Sequence, residues 1–460
     1  MTNFTLDKNK KVHFIGIGGI NMSSLADILL YRGFSVSGSD ARTSDLINKL
    51  KEKGAEISIG QRASNIKGDE GCVVYTAAIS DDNPELMMAR ELGIPCITRA
   101  DFFGHLMLEF KDVICVSGTH GKTTTTSIIS QIFLDAGKDP TIMAGGILRS
   151  INSNTRIGSQ DVMVAEACEY KNSFLSFFPT VGLILNIKED HMDFFKDIDD
   201  IRASFKKFAE LIPENGALVI GEGIDDLSFF TEGLKCSILT FAPESSSADV
   251  TAKNITFNEY ACAGFDLYYK GELLGRARLS ITGMHGVYDA LAASAAALFM
   301  GISPQQIIGS LGRFAGVKRR FEKKGVLGGV TIIDDYAHHP DEINATLSSA
   351  LAYPHKKLWV VFQPHTYSRT VRFLDEFAAA LSHADAVILT DIYAAREVNT
   401  YGVSSKDICD RLTALGTECF YLPTFDETET FLLQNCSDGD VLITMGAGDV
   451  VSIADNLLGI

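Results

Sequence analysis

The sequence predicts an α/β protein of three domains, and three observations carry that expectation. Short β-rich runs alternate with helical stretches almost throughout, the pattern of parallel sheets wound with helices. At 460 residues the chain exceeds what one core ordinarily serves, and typical domain size gives a prior of about three. The α/β rhythm restarts twice, at Asp112 and after a loop of charges and glycines around Arg319–Gly329. The expected domains are therefore 1–108, 109–322 and 323–460.

Bulk composition narrows the class. Apolar content of 46% with 22% charged residues is that of a folded globular chain. A net charge of −17 argues against a general nucleic-acid or anionic-membrane surface. The nine cysteines are scattered without a CxxC pair, and Cys72, Cys115 and Cys168 sit in apolar runs, as buried reduced thiols do. Residues 1–10 are polar and no apolar run approaches about 18 residues, so neither signal peptide nor membrane span is expected and a cytoplasmic location fits.

In the first domain, strand Val12–Ile15 breaks into Gly16-Ile17-Gly18-Gly19, and an amphipathic helix follows from about Met22 to Tyr31. A second strand, Ser35–Ser37, ends at Gly38-Ser39-Asp40, and Val73–Ala77 and Pro95–Thr98 continue the sheet. A glycine loop between strand and helix, with an acid after the next strand, is a Rossmann-like dinucleotide fingerprint, although Asn21 holds the third glycine position. The loop suits NAD, another nucleotide diphosphate or simply a tight turn. Asp40 is placed to bond a ribose hydroxyl under either nucleotide reading.

The second domain opens on the apolar run Asp112–Cys115, followed by Val116-Ser117-Gly118-Thr119-His120-Gly121-Lys122-Thr123-Thr124. A strand that breaks into a glycine loop and opens a helix presents backbone N–H groups at a helix N-terminus, and that geometry binds phosphate. Lys122 supplies a cation for the terminal phosphates and the Thr123 hydroxyl a magnesium ligand. Val116 stands where the longer P-loop pattern has its first glycine, so the spacing is the shorter Gly118-x-x-Gly121-Lys122-Thr123. Strands Thr141–Met143, Asp161–Glu166 and Val181–Ile187 complete a P-loop-type ATPase domain. Residues 248–282 alternate apolar and polar, which predicts appended antiparallel strands, and an alanine-rich helix follows at Ala290–Met300. Strand ends beside a phosphate loop are where open sheets place ligands, so Glu166 and His191 are expected to join Thr123 around magnesium. An imidazole bonded to a neighbouring carboxylate is the other reading of His191. Glu169, Glu189 and Asp193 read as solvated loop residues.

The third domain repeats the Rossmann-like rhythm at Val330–Ile333, Leu358–Phe362, Ala386–Leu389, Cys419–Leu422 and Val441–Thr444. Its first strand runs into Asp334-Asp335-Tyr336-Ala337-His338-His339-Pro340, with Pro340 suited to the first helical position. The next runs into Gln363-Pro364-His365-Thr366-Tyr367-Ser368-Arg369-Thr370. Two successive turns rich in His, Tyr and Arg favour a small polar substrate. Lys318-Arg319-Arg320-Phe321-Glu322 reads either as a solvated charge run or as a basic group reaching nucleotide phosphates from the domain junction.

Together these landmarks resemble the Mur ligase family over nearly the whole length, with Asp334–Pro340 and Phe362–Thr370 the most specific. The resemblance implies an ATP- and magnesium-dependent ligase of peptidoglycan precursor synthesis that joins L-alanine to the lactyl carboxylate of UDP-N-acetylmuramate. It favours UDP over NAD at the first loop, with Gly16, Gly18, Gly19, Met22, Ser23, Asp40 and Arg99 for the sugar nucleotide. It gives Gly118, Thr119, His120, Gly121, Lys122, Thr123 and Thr124 to ATP, with Arg320 and Asp335 reaching it across the hinge; His120 also matches a position near the UDP-sugar. Thr123, Glu166 and His191 match the metal positions. Lys122, His191, His339 and Arg369 are the implied catalytic set, and His338 and His365 stand with the substrate.

Two departures stand out. Where the family has asparagines facing adenine, this chain has Gly286, which has no side chain to bond with, and Asp289, expected to accept but not donate. Ser204 or Phe205 falls where several relatives carry a carbamylated lysine, so neither Lys206 nor Lys207 is given that role. The implied reaction passes through an acyl phosphate that the amine of L-alanine attacks. Substrates held on three domains imply hinge closure near 105–111 and 319–329. A monomer or homodimer is expected. The alternatives are a family ligase that takes a peptide in place of L-alanine, and a nucleotide-switched binding protein.

Overall fold

The computed structural model describes residues 6–460 except 77, 193, 246 and 396, so the expectations for Ala77 and Asp193 lie outside the described residues. Three sheets account for the three rhythms.

In the first, β1 (Lys11–Ile15), β2 (Val36–Asp40), β3 (Glu56–Ile59), β4 (Glu70–Tyr75) and β5 (Cys96–Thr98) run parallel in the order β3-β2-β1-β4-β5. Helices α1 (Ile20–Tyr31), α2 (Asp45–Glu52), α3 (Pro84–Glu91) and α4 (Arg99–Met107) connect and flank them. The order reverses at β1, where the Gly16 loop begins, and such a reversal opens a crevice at the strand ends. Strand β2 runs on through Gly38-Ser39 to Asp40, further than the expected end at Ser37, because its ladder with β1 and β3 continues there.

The second sheet is larger. Strands β6 (Asp112–Ser117), β7 (Thr141–Leu148), β8 (Ser153–Arg156), β9 (Val162–Glu166), β10 (Val181–Ile184), β11 (Ala217–Gly221), β12 (Ser237–Pro243), β13 (Val250–Phe257), β14 (Cys262–Tyr269) and β15 (Glu272–Thr282) take the order β15-β14-β13-β12-β11-β10-β6-β9-β7-β8. Pairing is parallel from β13 to β7 and antiparallel among β13, β14 and β15, as the alternation at 248–282 predicts. Helices α5 (Lys122–Asp135), α6 (Ile198–Ala209), α7 (Leu227–Thr231), α8 (Gly283–Phe299) and α9 (Pro304–Arg313) belong here. Helix α8 starts seven residues before the expected Ala290, which brings His285–Asp289 into its first turns. Its small side chains let it pack directly along α5, both helices contributing to one buried core.

The third sheet joins β16 (Glu322–Leu327), β17 (Val330–Asp335), β18 (Leu358–Phe362), β19 (Ala386–Leu389), β20 (Glu418–Tyr421) and β21 (Val441–Met445) in the order β16-β17-β21-β18-β19-β20. It is parallel except for β16. Helices α10 (Pro340–Leu351), α11 (Tyr367–Arg372), α12 (Leu374–Leu381), α13 (Ser405–Ala414), α14 (Phe425–Asn435) and α15 (Val451–Leu458) cover it. The stretch expected to be a loop at 319–329 is therefore largely strand β16: it lies at a sheet edge, where polar residues and glycine are tolerated. Among the described residues no helix is long and apolar enough to cross a membrane.

Candidate active site

The phosphate loop leaves β6 between β9 and β10, so three neighbouring strand ends meet there. Gly118 and Gly121 both adopt positive φ, +140° and +84°, and a Cβ on Gly118 would lie 2.9 Å from Leu185. Only glycine takes that path without strain. Asn186, just past β10, accepts the His120 N–H at 2.9 Å and donates to its carbonyl at 3.0 Å, which fixes the loop. Helix α5 begins at Lys122 and turns the N–H groups of its first turn toward the loop.

The Lys122 ammonium donates to the Gly118 and Thr119 carbonyls and lies 3.1 Å from both oxygens of Glu169. Glu169 is 2% exposed, which corrects its expected place as a solvated loop residue: it folds inward because Lys122 needs a counter-charge. Burial works against the lysine's charge, but Glu169, Cys168 and Glu166 more than offset it and hold the ammonium above its ordinary range. The His191 ring lies 3.9 Å from Glu169 and from Asp190, and packs against Tyr170. Glu189, by contrast, is exposed and pairs with Arg372 of the third domain at 2.7 Å.

At the end of β9, Glu166 accepts the Thr123 hydroxyl and the Gly145 N–H, each at 2.8 Å. A carboxylate and a hydroxyl that already share a proton beside a phosphate cradle are the hard oxygen donors that magnesium prefers. The residues therefore fit the ion.

The third domain closes over this loop. His120 Nδ1 lies 3.4 Å from Glu342 and its Nε2 3.9 Å from Asp341, while its ring faces that of His339 at 5.1 Å. Arg369 donates to Asp190 at 3.1 Å and reaches His365 Nδ1 at 3.3 Å. His365 stacks on Tyr393 and neighbours His338, whose Nδ1 meets the Tyr336 carbonyl at 3.0 Å. Burial lowers His338, His339 and His365, the last to about 4, so these three rings are neutral at pH 7. Burial opposes the charges of Asp190 and Glu342, yet His191 and Arg369 around the first, and His338, His120 and Arg320 around the second, hold both well below the carboxylate range.

In the charge run at 318–322 Lys318 is exposed, but Arg319, Arg320 and Glu322 are turned inward. Arg319 donates to Asp334 at 3.1 Å and to the Gly446 and Gly448 carbonyls, and so belongs to the third domain's framework. Arg320 stands over Tyr336 and lies 3.8 Å from Glu342. Asp335 accepts the Phe321 and Ala337 N–H groups at 2.7 and 2.8 Å, and burial pushes its carboxyl up to about 6.

A cavity of about 470 Å³ lies between these parts. Its wall includes Gly121, Thr123, Thr124, Lys188, Arg320 and Glu342, with His285, Tyr288 and Asp289 of α8. Cationic and N–H-bearing walls at one end suit phosphates, and the volume is that of a small-molecule site. Burial pushes Asp289 up to about 7, so near neutral pH a share of the population carries a proton and is able to donate, which the expectation of an acceptor alone did not include. Gly286 has a packing reason, since a Cβ there would sit 3.1 Å from Ile281.

The first domain's expected residues divide. Gly18 donates to Asp40 at 2.8 Å, so this carboxylate clamps the glycine loop with one oxygen. Met22 is buried and the Ser23 hydroxyl bonds the Ile20 carbonyl, so both side chains are occupied by the fold. Arg99, half-buried at the start of α4, has Cys168 of the second domain as a neighbour. Sequence reasoning missed Glu342 and Asp190. Glu342 lies two residues past Pro340 and Asp190 beside His191, so position alone was a signal for each.

Comparison with known proteins follows the same division. The model described as Mur ligase family, catalytic domain matches residues 11–111, the Mur ligase middle domain 116–297, and the Mur ligase, glutamate ligase domain 319–448. A UDP-N-acetylmuramate–L-alanine ligase of Lachnospira eligens is 53% identical over 97% of both chains, and one of Agathobacter rectalis is 51% identical over 100% of both. The crystal structure of the UDP-N-acetylmuramate-alanine ligase of Thermotoga maritima superposes with a TM-score of 0.83 at 29% identity, covering 98% of each chain. A murein peptide ligase of Psychrobacter arcticus shares the fold, with a TM-score of 0.73 at 24% identity over 98% of each.

Proposed function

The chain belongs to the Mur ligase family, and from that premise we propose that it joins L-alanine to the lactyl carboxylate of UDP-N-acetylmuramate with ATP. The observation that carries this reading is the convergence on the phosphate loop of Glu166 at the end of β9 and of His339 and Glu342 from the third domain, beside a cavity walled by the loop, Arg320, Asp335 and Glu342. The Gly16 loop and Arg99 hold the sugar nucleotide, the second domain holds ATP, and His338, His365 and Arg369 face the amino acid. The first domain joint falls at 108/109; the second, expected at 322/323, falls instead before Arg319, because Arg319 bonds the third domain's framework and Glu322 already pairs with Asp334 in its sheet.

A carboxylate does not react with an amine until one of its oxygens becomes a leaving group. The γ-phosphoryl group of ATP passes to the lactyl carboxylate and ADP leaves. The amine of L-alanine then adds to the acyl phosphate carbonyl, loses a proton, and phosphate departs. Lys122 sets a cation beside the transferring phosphoryl, and the loop N–H groups hold the phosphate chain in line. Thr123, Glu166 and His191 would hold magnesium, which would neutralise phosphoryl charge when bound. His339 offers a donor from the third domain, and Arg369 locks that domain to Asp190. No protein nucleophile is needed, because positioning and fixed charge supply the acceleration.

The test is phosphate release from ATP, magnesium and UDP-N-acetylmuramate, with and without L-alanine, with product mass read in parallel. Alanine-dependent release and a product heavier by one alanyl residue are expected, with loss of both in a folded Lys122→Ala variant. Full activity in that variant, or release without an alanylated product, rejects the mechanism. A product formed only with a peptide in place of L-alanine selects the murein peptide ligase reading.

A further inference from the structure

A buried carboxylate lies against the phosphate loop and has no role in the reaction above. Asp289 stands in the second turn of α8, 4% exposed, on the wall it shares with Gly121, Thr123 and Thr124. Its Oδ1 comes so near Gly121 that a Cβ on that glycine would lie 2.5 Å from it. Gly121 is the N-cap of α5, where free N–H groups and the helix dipole favour an anion. An ionised carboxylate on that spot occupies the field a phosphate needs and repels the phosphate directly.

The neighbouring groups do not neutralise it. Arg320, from the segment before β16, is the cation acting on Asp289, and it is shared with Glu342 and Asp335. From α5 come the Thr125 hydroxyl, beside Asp289, and Lys122, which Glu169 engages. Lys188, after β10, and the acids Asp341 and Glu342 of α10 line the same cavity. On α8 itself, Tyr288 donates to the Leu185 carbonyl, and burial pushes His285 down to about 4, so that ring brings no charge at neutral pH.

We propose that Asp289 takes up a proton when nucleotide binds, so that this chain's affinity for ADP and ATP falls as pH rises. The inference rests on the cavity being the nucleotide site. In the free protein the carboxyl is already poised at about 7, so the charge of arriving phosphates suffices to complete its protonation. With the group's pKa higher in the complex than in the free protein, affinity is greatest below about pH 7. Above that it falls by up to about tenfold per pH unit until the pKa of the complex is reached. Asp289 thus tunes nucleotide affinity without touching the transferred phosphoryl group.

The experiment is calorimetric titration of the full-length protein with ADP between about pH 6.5 and about pH 8.5, in two buffers of different ionisation enthalpy. The expected result is affinity falling at least several-fold over that range, with net proton uptake from buffer. Asp289→Asn keeps the size and removes the charge; it should bind with a flatter pH profile and more tightly than wild type at the alkaline end. Because ADP's own ionisation is common to both proteins, their difference isolates Asp289. Identical pH profiles, no proton uptake, or weaker binding by the variant at every pH overturns the proposal. If neither protein binds ADP at any pH, the nucleotide reading of the cavity falls with it.

Discussion

At the start of α10, His339 accepts the Asp341 N–H through Nδ1 at 3.3 Å, so its remaining proton is on Nε2. That nitrogen is buried, has no partner among the described residues, and belongs to a ring 5% exposed. His339, His120 and Asp341 bring potential metal-binding atoms within 4.8 Å of one another, but an Nε2 that carries a proton donates to a substrate oxygen and does not ligate. His339→Ala should lose the cap, about 1 kcal/mol, and reduce kcat by roughly 10²–10³-fold. His339→Asn should restore the melting temperature but not kcat, since its side chain caps yet lacks the ring's reach; recovery of both would leave the ring only a structural part.

His365 makes a pH prediction at the same scale. Its folded pKa, about 4, is below the ordinary histidine value, so the unfolded chain binds more protons between the two. Stability is therefore retained above about pH 6.5 and lost as pH falls toward 4, by at most about 1.4 kcal/mol per unit. Melting curves over that window should slope less steeply for His365→Asn; an unchanged slope would mean the ring is not buried neutral.

Among the elements, the phosphate loop depends most on backbone conformation. Gly121→Ala meets two obstacles, a positive φ that costs about 1–2 kcal/mol for a residue with Cβ and the Asp289 carboxylate in the way. A lower melting temperature and loss of ADP binding are expected, and pairing it with Asp289→Ala should recover part of the binding, which tests whether the two meet as described. Which elements were legible follows from burial. Leu358–Phe362 and Val181–Ile184 are buried throughout and read as apolar runs. Strands β3 and β16 are edge strands without a fully buried side chain, so charged residues and glycine are tolerated in them and no apolar run marks them.

Across the whole molecule, the second and third domains are held in contact by a few polar bridges. Arg369–Asp190 is the most buried of these, and Arg149–Glu322 and Arg372–Glu189 lie nearer solvent. Removing one partner of the buried bridge leaves the other charge without its hydrogen bond, at about 1.5–3 kcal/mol. Asp190→Ala should raise KM for L-alanine and expand the particle in small-angle scattering, whereas Glu189→Ala should change little because solvent screens that pair. Equal effects in the two variants would mean that closure does not depend on the buried bridge.

The sequence by itself determined what is local. It marked both glycine loops, Lys122 and Thr123 at the mouth of a helix, Pro340 at the first position of α10, and the alternation that made β13–β15 antiparallel, because neighbours along the chain dictate each of these. Tertiary structure alone decided the environment of single charges. Glu169 was expected in solvent and is buried because Lys122 lies opposite it; Asp289 was expected to be an ordinary carboxylate, and burial where α8 packs against α5 pushes its carboxyl up to about 7. His120 meets Glu342 across a domain boundary, more than two hundred residues away in sequence. Burial and charge pairing depend on what the rest of the chain places around a side chain, and no spacing rule along the chain contains that information.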